Sequence, residues 1–369
     1  MNLNPFKLER FFAKYEFSTK YLLCSSDCEA WTIGEILALE SSAHDAFMQH
    51  WLGYTESAGA PALRTAIANG YTQTNANRIN ITNSGEEAIF WFMHAVLGAG
   101  DHLIVHTPHY QSHSEVARGI GATITEWHAR DENAWALDLD ELRKLIQPNT
   151  KAIVVNLPHN PTGWLMPHAQ WRELHQIADQ HGVVVMSDEV YRGSEYNPLD
   201  QLAAACDMSE TAVSIGALSK PHGLPGIRIG WITSRNAALM DKFAAYKDYT
   251  TICNSAPSEF IAELAIRHQD KLIARNTGLT LRNVALVDDF MQRHADRFQW
   301  HKPRASSVAF PKLLVAGKDA HTARLYGDVD AFCDELVTQA GVLLLPGSAF
   351  NHAGNHFRVG LGRDRKSVV

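Results

Sequence analysis

Residues 150–193 read TKAIVVNLPHNPTGWLMPHAQWRELHQIADQHGVVVMSDEVYRG. Ala152–Asn156 and Val183–Ser187 are short, nearly continuous apolar runs, as expected for strands buried on both faces. Between them Pro167 stands where a first helical residue belongs. Trp171, Leu174 and Ile177 mark one helix face, and Gly182 follows the end. Strand, helix and strand in that order predict parallel strands joined by a crossover helix.

The alternation continues outward, from about Trp51 to Ile232. Further strands are expected at His102–Thr107, Thr123–Trp127, Ala212–Gly216 and Arg228–Thr233. Ser84 with Glu87 reads as a capping box, closed by Gly98, and Asp138 with Glu141 repeats the box ahead of Leu142, Leu145 and Ile146. The pattern predicts an α/β fold with a largely parallel sheet, which binds ligands at the carboxyl ends of its strands. After about Asn254 a helical stretch runs through Glu259, Leu264, Ile273, Leu286 and Phe290. The charged residues of Glu259–Arg297 read as a solvated helix face. Residues 304–363 mix short strands with one helix near Asp328–Gln339. The expected division is a large domain of residues 45–255 and a smaller α+β domain built from 1–44 with 256–369.

Composition excludes several classes. A 369-residue chain with 46% hydrophobic and 20% charged residues has the makings of a sizeable core. A formal net charge of -7 supplies no field for gathering nucleic acid, so no nucleic-acid partner is expected. Five cysteines, an odd number, suggest reduced thiols and a cytoplasmic location. The amino end, MNLNPFKLERFF, has no apolar core or cleavage site of a secretory signal, and no run of eighteen apolar residues predicts a membrane span. Nineteen histidines invite a metal reading. His109 and His113 lie four apart, but no third ligand on a matching scaffold is evident, and His94, His102 and His106 are scattered, so no metal is expected. Cys24 and Cys28, in LLCSSDCE, could approach each other on a helix. Free thiols, or a segment near a substrate entrance, are the expected reading.

Four clusters fall at predicted strand ends. TNSGEEAIF (Thr82–Phe90) leads into a helix whose free N–H groups and dipole suit a phosphate. NLPHNPTGW (Asn156–Trp164) and SDEVYRG (Ser187–Gly193) each follow a strand. ALSKPHGLPGIRIGW (Ala217–Trp231) sets Lys220 in a Gly- and Pro-rich loop, with Arg228 eight residues on. Singly they read as a helix cap, a turn, a capping acid and a solvated lysine. Together they supply an acid for a ring nitrogen, a lysine for an aldehyde, and cationic and backbone donors for a phosphate.

The set resembles the class I/II aminotransferases of pyridoxal-phosphate fold type I (aspartate-aminotransferase type), over about Trp51–Gly362. The resemblance implies a three-layer α/β/α large domain, and pyridoxal 5′-phosphate held by Lys220 as a Schiff base. Lys220 would also shuttle the proton at the substrate α-carbon. Asp188 would pair with the pyridinium nitrogen, Asn160 and Tyr191 would bond the phenolic oxygen, and Tyr110 would stack on the ring. Ser84, Gly85, Glu86, Ser219 and Arg228 would cradle the phosphate, and Tyr54, in WLGYTESAGAPALR, would reach the phosphate of a partner subunit. Arg358, in FRVGLG, would grip the substrate α-carboxylate beside Asn160. The implied activity moves an amino group from an α-amino acid to a 2-oxo acid, in a homodimer with shared active sites.

Two departures stand out. Ala217 occupies the place of a phosphate-binding serine, and Glu86 that of a small or amide residue, so only its backbone N–H is assigned. The close rivals are a β-lyase and an amino-acid oxidase or cyclase of the same fold. The segment Lys7–Trp31 distantly resembles the branch containing capreomycidine synthase, which acts on arginine-derived substrates, and Asp27 and Glu29 would suit a cationic side chain. A non-catalytic pyridoxal-phosphate regulator is the rival from another class. It would carry a helix-turn-helix module ahead of this fold, and the roughly forty residues before the large domain show no such pattern. The chain ends GRDRKSVV where the resemblance implies a further helix. Asp364–Val369, written gat cgg aag agc gtc gtg, spell a common sequencing-adapter sequence. The expectation is that the genuine chain continues after Arg363. An in-frame native stop after Val369, read by sequencing the source gene, would refute this.

Overall fold

A computed structural model describes residues 2–314 and 327–364. The proposed artefact lies almost wholly outside them, in residues 365–369. Seven strands form one sheet: β1 (Ile79–Thr82), β2 (His102–Thr107), β3 (Thr123–His128), β4 (Thr150–Asn156), β5 (Val184–Asp188), β6 (Val213–Ala217) and β7 (Gly230–Ser234). Their order is β1-β7-β6-β5-β4-β2-β3. Only β7 runs against its neighbours.

The expected strands are all present, β2 to the residue and the others within two residues. β7 starts late because a turn at Pro225–Ile227 and a left-handed Arg228 (φ 55°) keep the chain from extending earlier. β1 was not foreseen; four residues after a short turn give too little period to read.

Helices cover both faces, and alternate residues of single strands show why. Ile153 and Val155 pack with Trp171, Leu174 and Ile177 of the His168–His181 helix. Ala152 and Val154 face the other way, toward Trp91 and Phe92 of the Ser84–Val96 helix and Phe243 of Ala237–Asp248. Each such fully buried large apolar side chain contributes about 2 kcal/mol. Gly182 closes its helix in a left-handed conformation (φ 64°), while Pro167 is the residue just before the helix.

Two expected capping boxes are corrected. Ser84 makes no cap: it is itself left-handed (φ 75°), and Glu87 instead accepts from Asn83 N (2.6 Å). Asp138 caps its helix by accepting from Asp140 N, but Glu141 pairs with Arg130 and does not return to the cap.

The chain ends meet beside the sheet. Tyr21–Leu22 pairs in parallel with Val342–Leu343, and Phe357–Gly360 lies between Val308–Ala309 and Leu345–Pro346. Residues 24–28 form no helix, contrary to the reading of the two cysteines. Their backbone runs alongside the Phe357–Gly360 strand, with Gly360 N donating to Leu23 O (2.7 Å) and Glu29 N to Gly362 O (2.8 Å). The helical stretch after Asn254 is two helices, Ala256–Arg267 and Gln269–Arg293. Its charges are not all solvated: Glu259 is buried and accepts from Ala60 N (2.9 Å). Among the described residues no helix is long and apolar enough to cross a membrane.

Candidate active site

One cavity of about 390 Å³ opens at the carboxyl ends of the strands. Ser84, Gly85, Glu86, Tyr110, Asn160, Asp188, Tyr191, Ser219, Lys220, Arg228 and Arg358 all line it. Tyr54 does not; it is 88% exposed. Ala217 is buried away from the cavity and leaves Ser219 on its wall.

Each sheet-borne residue is placed by its strand. Asp188 ends β5 and is 5% exposed. Its Oδ2 meets His113 Nε2 at 3.0 Å, and its Oδ1 accepts from Val190 N (3.2 Å). A carboxylate held this way can keep a proton on a ring nitrogen. His113 was weighed as a metal ligand; the structure makes it the partner of Asp188. Among the described residues no group of three or more His, Cys, Asp or Glu could hold a metal ion. Asn160 N donates to Asn156 Oδ1 at the end of β4 (2.8 Å). Its own Oδ1 accepts from Arg358, which leaves Nδ2 as a donor. Tyr110 packs against Phe6, with ring centroids 5.0 Å apart. Burial pushes the Tyr191 phenol well up, so it remains a donor.

The start of the Ser84–Val96 helix forms a cradle. Left-handed Ser84 is fixed by Thr82 Oγ1 donating to Ser84 O (2.8 Å), and the first N–H groups of the helix have no partners within it. Gly230 is required beside it: a Cβ there would lie 2.8 Å from Ser84 C and 3.0 Å from Gly85 N. Arg228, also left-handed, shares the wall. Glu86 accepts from Ser112 Oγ, and burial raises its pKa. Left-handed backbone, free N–H groups, an arginine and a lysine in one cavity fit pyridoxal phosphate.

The remaining wall comes from the chain ends. Arg358 is 1% exposed; its Nε (3.1 Å) and Nη2 (2.8 Å) both donate to Cys24 O, and Nη1 donates to Asn160 Oδ1 (3.2 Å). Lys220 Nζ donates to Ser26 Oγ (2.8 Å) and lies 5.8 Å from the Tyr191 ring centroid. Burial lowers the Lys220 pKa, and the Asp27 carboxylate partly offsets this. Asp27 holds Arg363 through two contacts, Oδ1 to Nε (3.2 Å) and Oδ2 to Nη2 (2.8 Å). Glu9 and Glu16, from the first helix (Lys7–Tyr15) and its end, also line the cavity, and neither has an ion pair among the described residues. Ser26, Glu9, Glu16 and Arg363 were missed from sequence. Glu29 is not on the wall; its carboxylate accepts from Asp364 N (2.9 Å). Cys24 and Cys28 are free and buried, their thiols pushed up by burial to about 12 and about 11, so they are not reactive nucleophiles.

A family model described as aminotransferase class I and II matches residues 20–368. The chain is 30% identical over 365 residues to capreomycidine synthase of Streptomyces vinaceus, covering 98% of this chain and 90% of that one. A solved pyridoxal-phosphate-dependent aminotransferase from Streptococcus suis superposes with a TM-score of 0.91 at 29% identity, covering 100% of this chain and 95% of that one. A solved pyridoxal-phosphate-dependent cyclase, OrfR, gives a TM-score of 0.88 at 28% identity, covering 99% and 94%.

Proposed function

The chain belongs to the class I and II aminotransferase family and its cofactor is pyridoxal 5′-phosphate; from that premise we propose that it moves the amino group of a basic α-amino acid to a 2-oxo acid. The charge layout of the cavity carries this reading. Arg358 would take an α-carboxylate, and Glu9 and Glu16 are carboxylates on the wall with no ion pair among the described residues. A donor with an acidic side chain would need a second available cation, and Arg363 is committed to Asp27.

When bound, pyridoxal phosphate supplies an electrophilic carbonyl and a ring that draws off the electron pair of a bond broken at the α-carbon. Lys220 would anchor it, and Nζ would take the proton from the substrate α-carbon and deliver it elsewhere. Asp188, backed by His113, would hold the proton on the ring nitrogen. Asn160 Nδ2 and the Tyr191 hydroxyl would donate to the ring oxygen. The Ser84–Glu86 turn, Ser219 and Arg228 would bind the phosphate. Arg358 would orient the substrate through its carboxylate.

The likeness to OrfR and to capreomycidine synthase over nearly the whole chain favours a second reading, a cyclase acting on a β-substituted basic amino acid. One experiment separates the two. Arginine, lysine and the other amino acids are supplied with pyruvate or 2-oxoglutarate, and alanine or glutamate is measured. In parallel a β-hydroxylated basic amino acid is supplied with no acceptor. Aminotransfer predicts alanine or glutamate from basic donors. Loss of water and ring closure without any aminotransfer would replace it with the cyclase.

We also infer a homodimer with shared sites, working in the reducing cytoplasm that five free thiols suit. Trp51 (78%), Leu52 (77%), Tyr54 (88%) and Tyr249 (93%) are exposed, and Thr55 Oγ1 donating to Asn254 O ties their two segments together. Exposed aromatics in one patch favour a protein partner. Tyr54 would then reach the neighbouring phosphate. Residues 45–255 would form the large domain and 1–44 with 256–369 the small one.

A further inference from the structure

Ser26 is the one side chain from outside the sheet's edge that touches the lysine nitrogen in the described structure. Its hydroxyl accepts from Lys220 Nζ at 2.8 Å. The segment carrying it is fixed on three sides. Ser26 O accepts from Ser307 Oγ (2.6 Å), Leu23 O accepts from Gly360 N, and Glu29 N donates to Gly362 O. Gly360 is obligatory for this approach, since a Cβ there would lie 2.2 Å from Ser25 O. Two residues before Ser26, Cys24 O receives both Nε and Nη2 of Arg358. One short segment therefore sets the arginine positioned for a carboxylate and touches the lysine positioned for the α-proton.

We propose that Ser26 is a positioning residue for Lys220, its hydroxyl accepting one N–H of the free amine so that the lone pair on Nζ points at the substrate α-carbon. This rests on the reading of Lys220 as the proton-moving lysine. A free lysine has four rotatable side-chain bonds and a nitrogen that also rotates, so a base without a fixed partner samples many unproductive directions. In the step at issue the α-carbon gives its proton to the Nζ lone pair, and the bonding electrons stay with the carbon framework and the cofactor's ring. Ser26 gains and loses no proton; it selects the direction of approach. The charged and titratable groups facing Nζ are Asp27 and Cys28 of the same segment, Asp188, Tyr191 and Arg358.

The test uses the holoenzyme and three forms: wild type, Ser26→Ala and Ser26→Thr. Exchange of the arginine α-proton with D2O, followed by NMR, reports the proton step whether aminotransfer or ring closure comes after it. Ser26→Ala should slow exchange about ten- to a hundred-fold. KM and cofactor affinity should stay near wild type, and Ser26→Thr should restore most of the rate. Unchanged exchange in Ser26→Ala overturns the proposal. So does an equal loss in both variants accompanied by loss of cofactor or of thermal stability, which means a structural role. Borohydride reduction and peptide mapping of the wild type keep the premise separate. A label away from Lys220 removes the underlying reading, whereas a label on Lys220 with a silent Ser26→Ala removes this inference alone.

Discussion

The sheet's carboxyl edge and the meeting place of the chain ends build the same cavity by different means. At the edge, Asp188 ends a buried strand and Asn160 and Lys220 follow two others, so sheet register brings their strand ends side by side. On the other side, Ser26, Asp27, Arg358 and Arg363 sit where residues 23–29 lie against residues 357–363, and register there spans nearly the whole chain. The edge carries groups suited to a cofactor, and the chain ends carry groups suited to a substrate. A fold can keep the first fixed and vary the second.

That comparison is broken most severely at the edge. Lys220→Ala should abolish covalent attachment of pyridoxal phosphate and cut turnover by at least about a thousand-fold, because the proposed anchor and the proposed base are the same nitrogen. Borohydride reduction followed by peptide mapping checks the attachment. Mixing this variant with Tyr54→Ala under subunit exchange should recover activity, since in the proposed shared-site dimer a mixed pair has one site with neither defect. No recovery in a protein that sediments as a dimer would assign Tyr54 to some other role.

Asp188→Asn should come next, lowering turnover by about a hundred-fold or more while leaving the cofactor bound. An amide cannot hold the ring proton, yet the contacts expected of Ser84, Arg228 and Lys220 persist. His113 then loses its carboxylate partner at 3.0 Å, so the Asn variant isolates charge better than truncation to Ala. Steady-state rates beside the absorbance of the bound cofactor read the two effects apart. Near-normal turnover would mean that another acid serves the ring.

The unequal legibility of the two regions has the same physical origin. Asp188 and Lys220 could be read because an apolar run ends just before each of them or its loop, and the run itself marks a strand end. Ser84 lines the cavity but was misread as a cap, since the sequence does not reveal that its backbone is left-handed. Ser26 and Arg363 had no such signal. They lie in irregular segments whose neighbours are fixed by tertiary pairing, and Ser26 in LLCSSDCE is indistinguishable from a loop serine. Arg358 was legible only through resemblance, because its short strand carries little period of its own. His113 had no signal either: its four-residue spacing from His109 was set aside as a metal pair, and nothing in the sequence marks it as the partner of Asp188.

The mildest change belongs to the chain ends and should alter choice of substrate more than rate. Asp27 and Arg363 are part-buried, with side chains 14% and 28% exposed, and they neutralise each other on the cavity wall. Asp27→Asn removes one charge and leaves Arg363 facing the cavity with a net positive field. The loss of one partly exposed ion pair should cost about 1 kcal/mol of stability, small enough to leave the fold intact. Selectivity should move further, because a charged hydrogen bond gained or opposed within a cavity is worth about 1.5–3 kcal/mol, roughly ten-fold or more in kcat/KM. The ratio of kcat/KM for aspartate over arginine should therefore rise by about ten-fold or more, with arginine falling and aspartate gaining. Glu16 limits the gain, since its carboxylate also feels Arg363. Should both donors fall together, the pair is a structural tie between the chain ends, and the division of labour would rest on Glu9 and Glu16 alone.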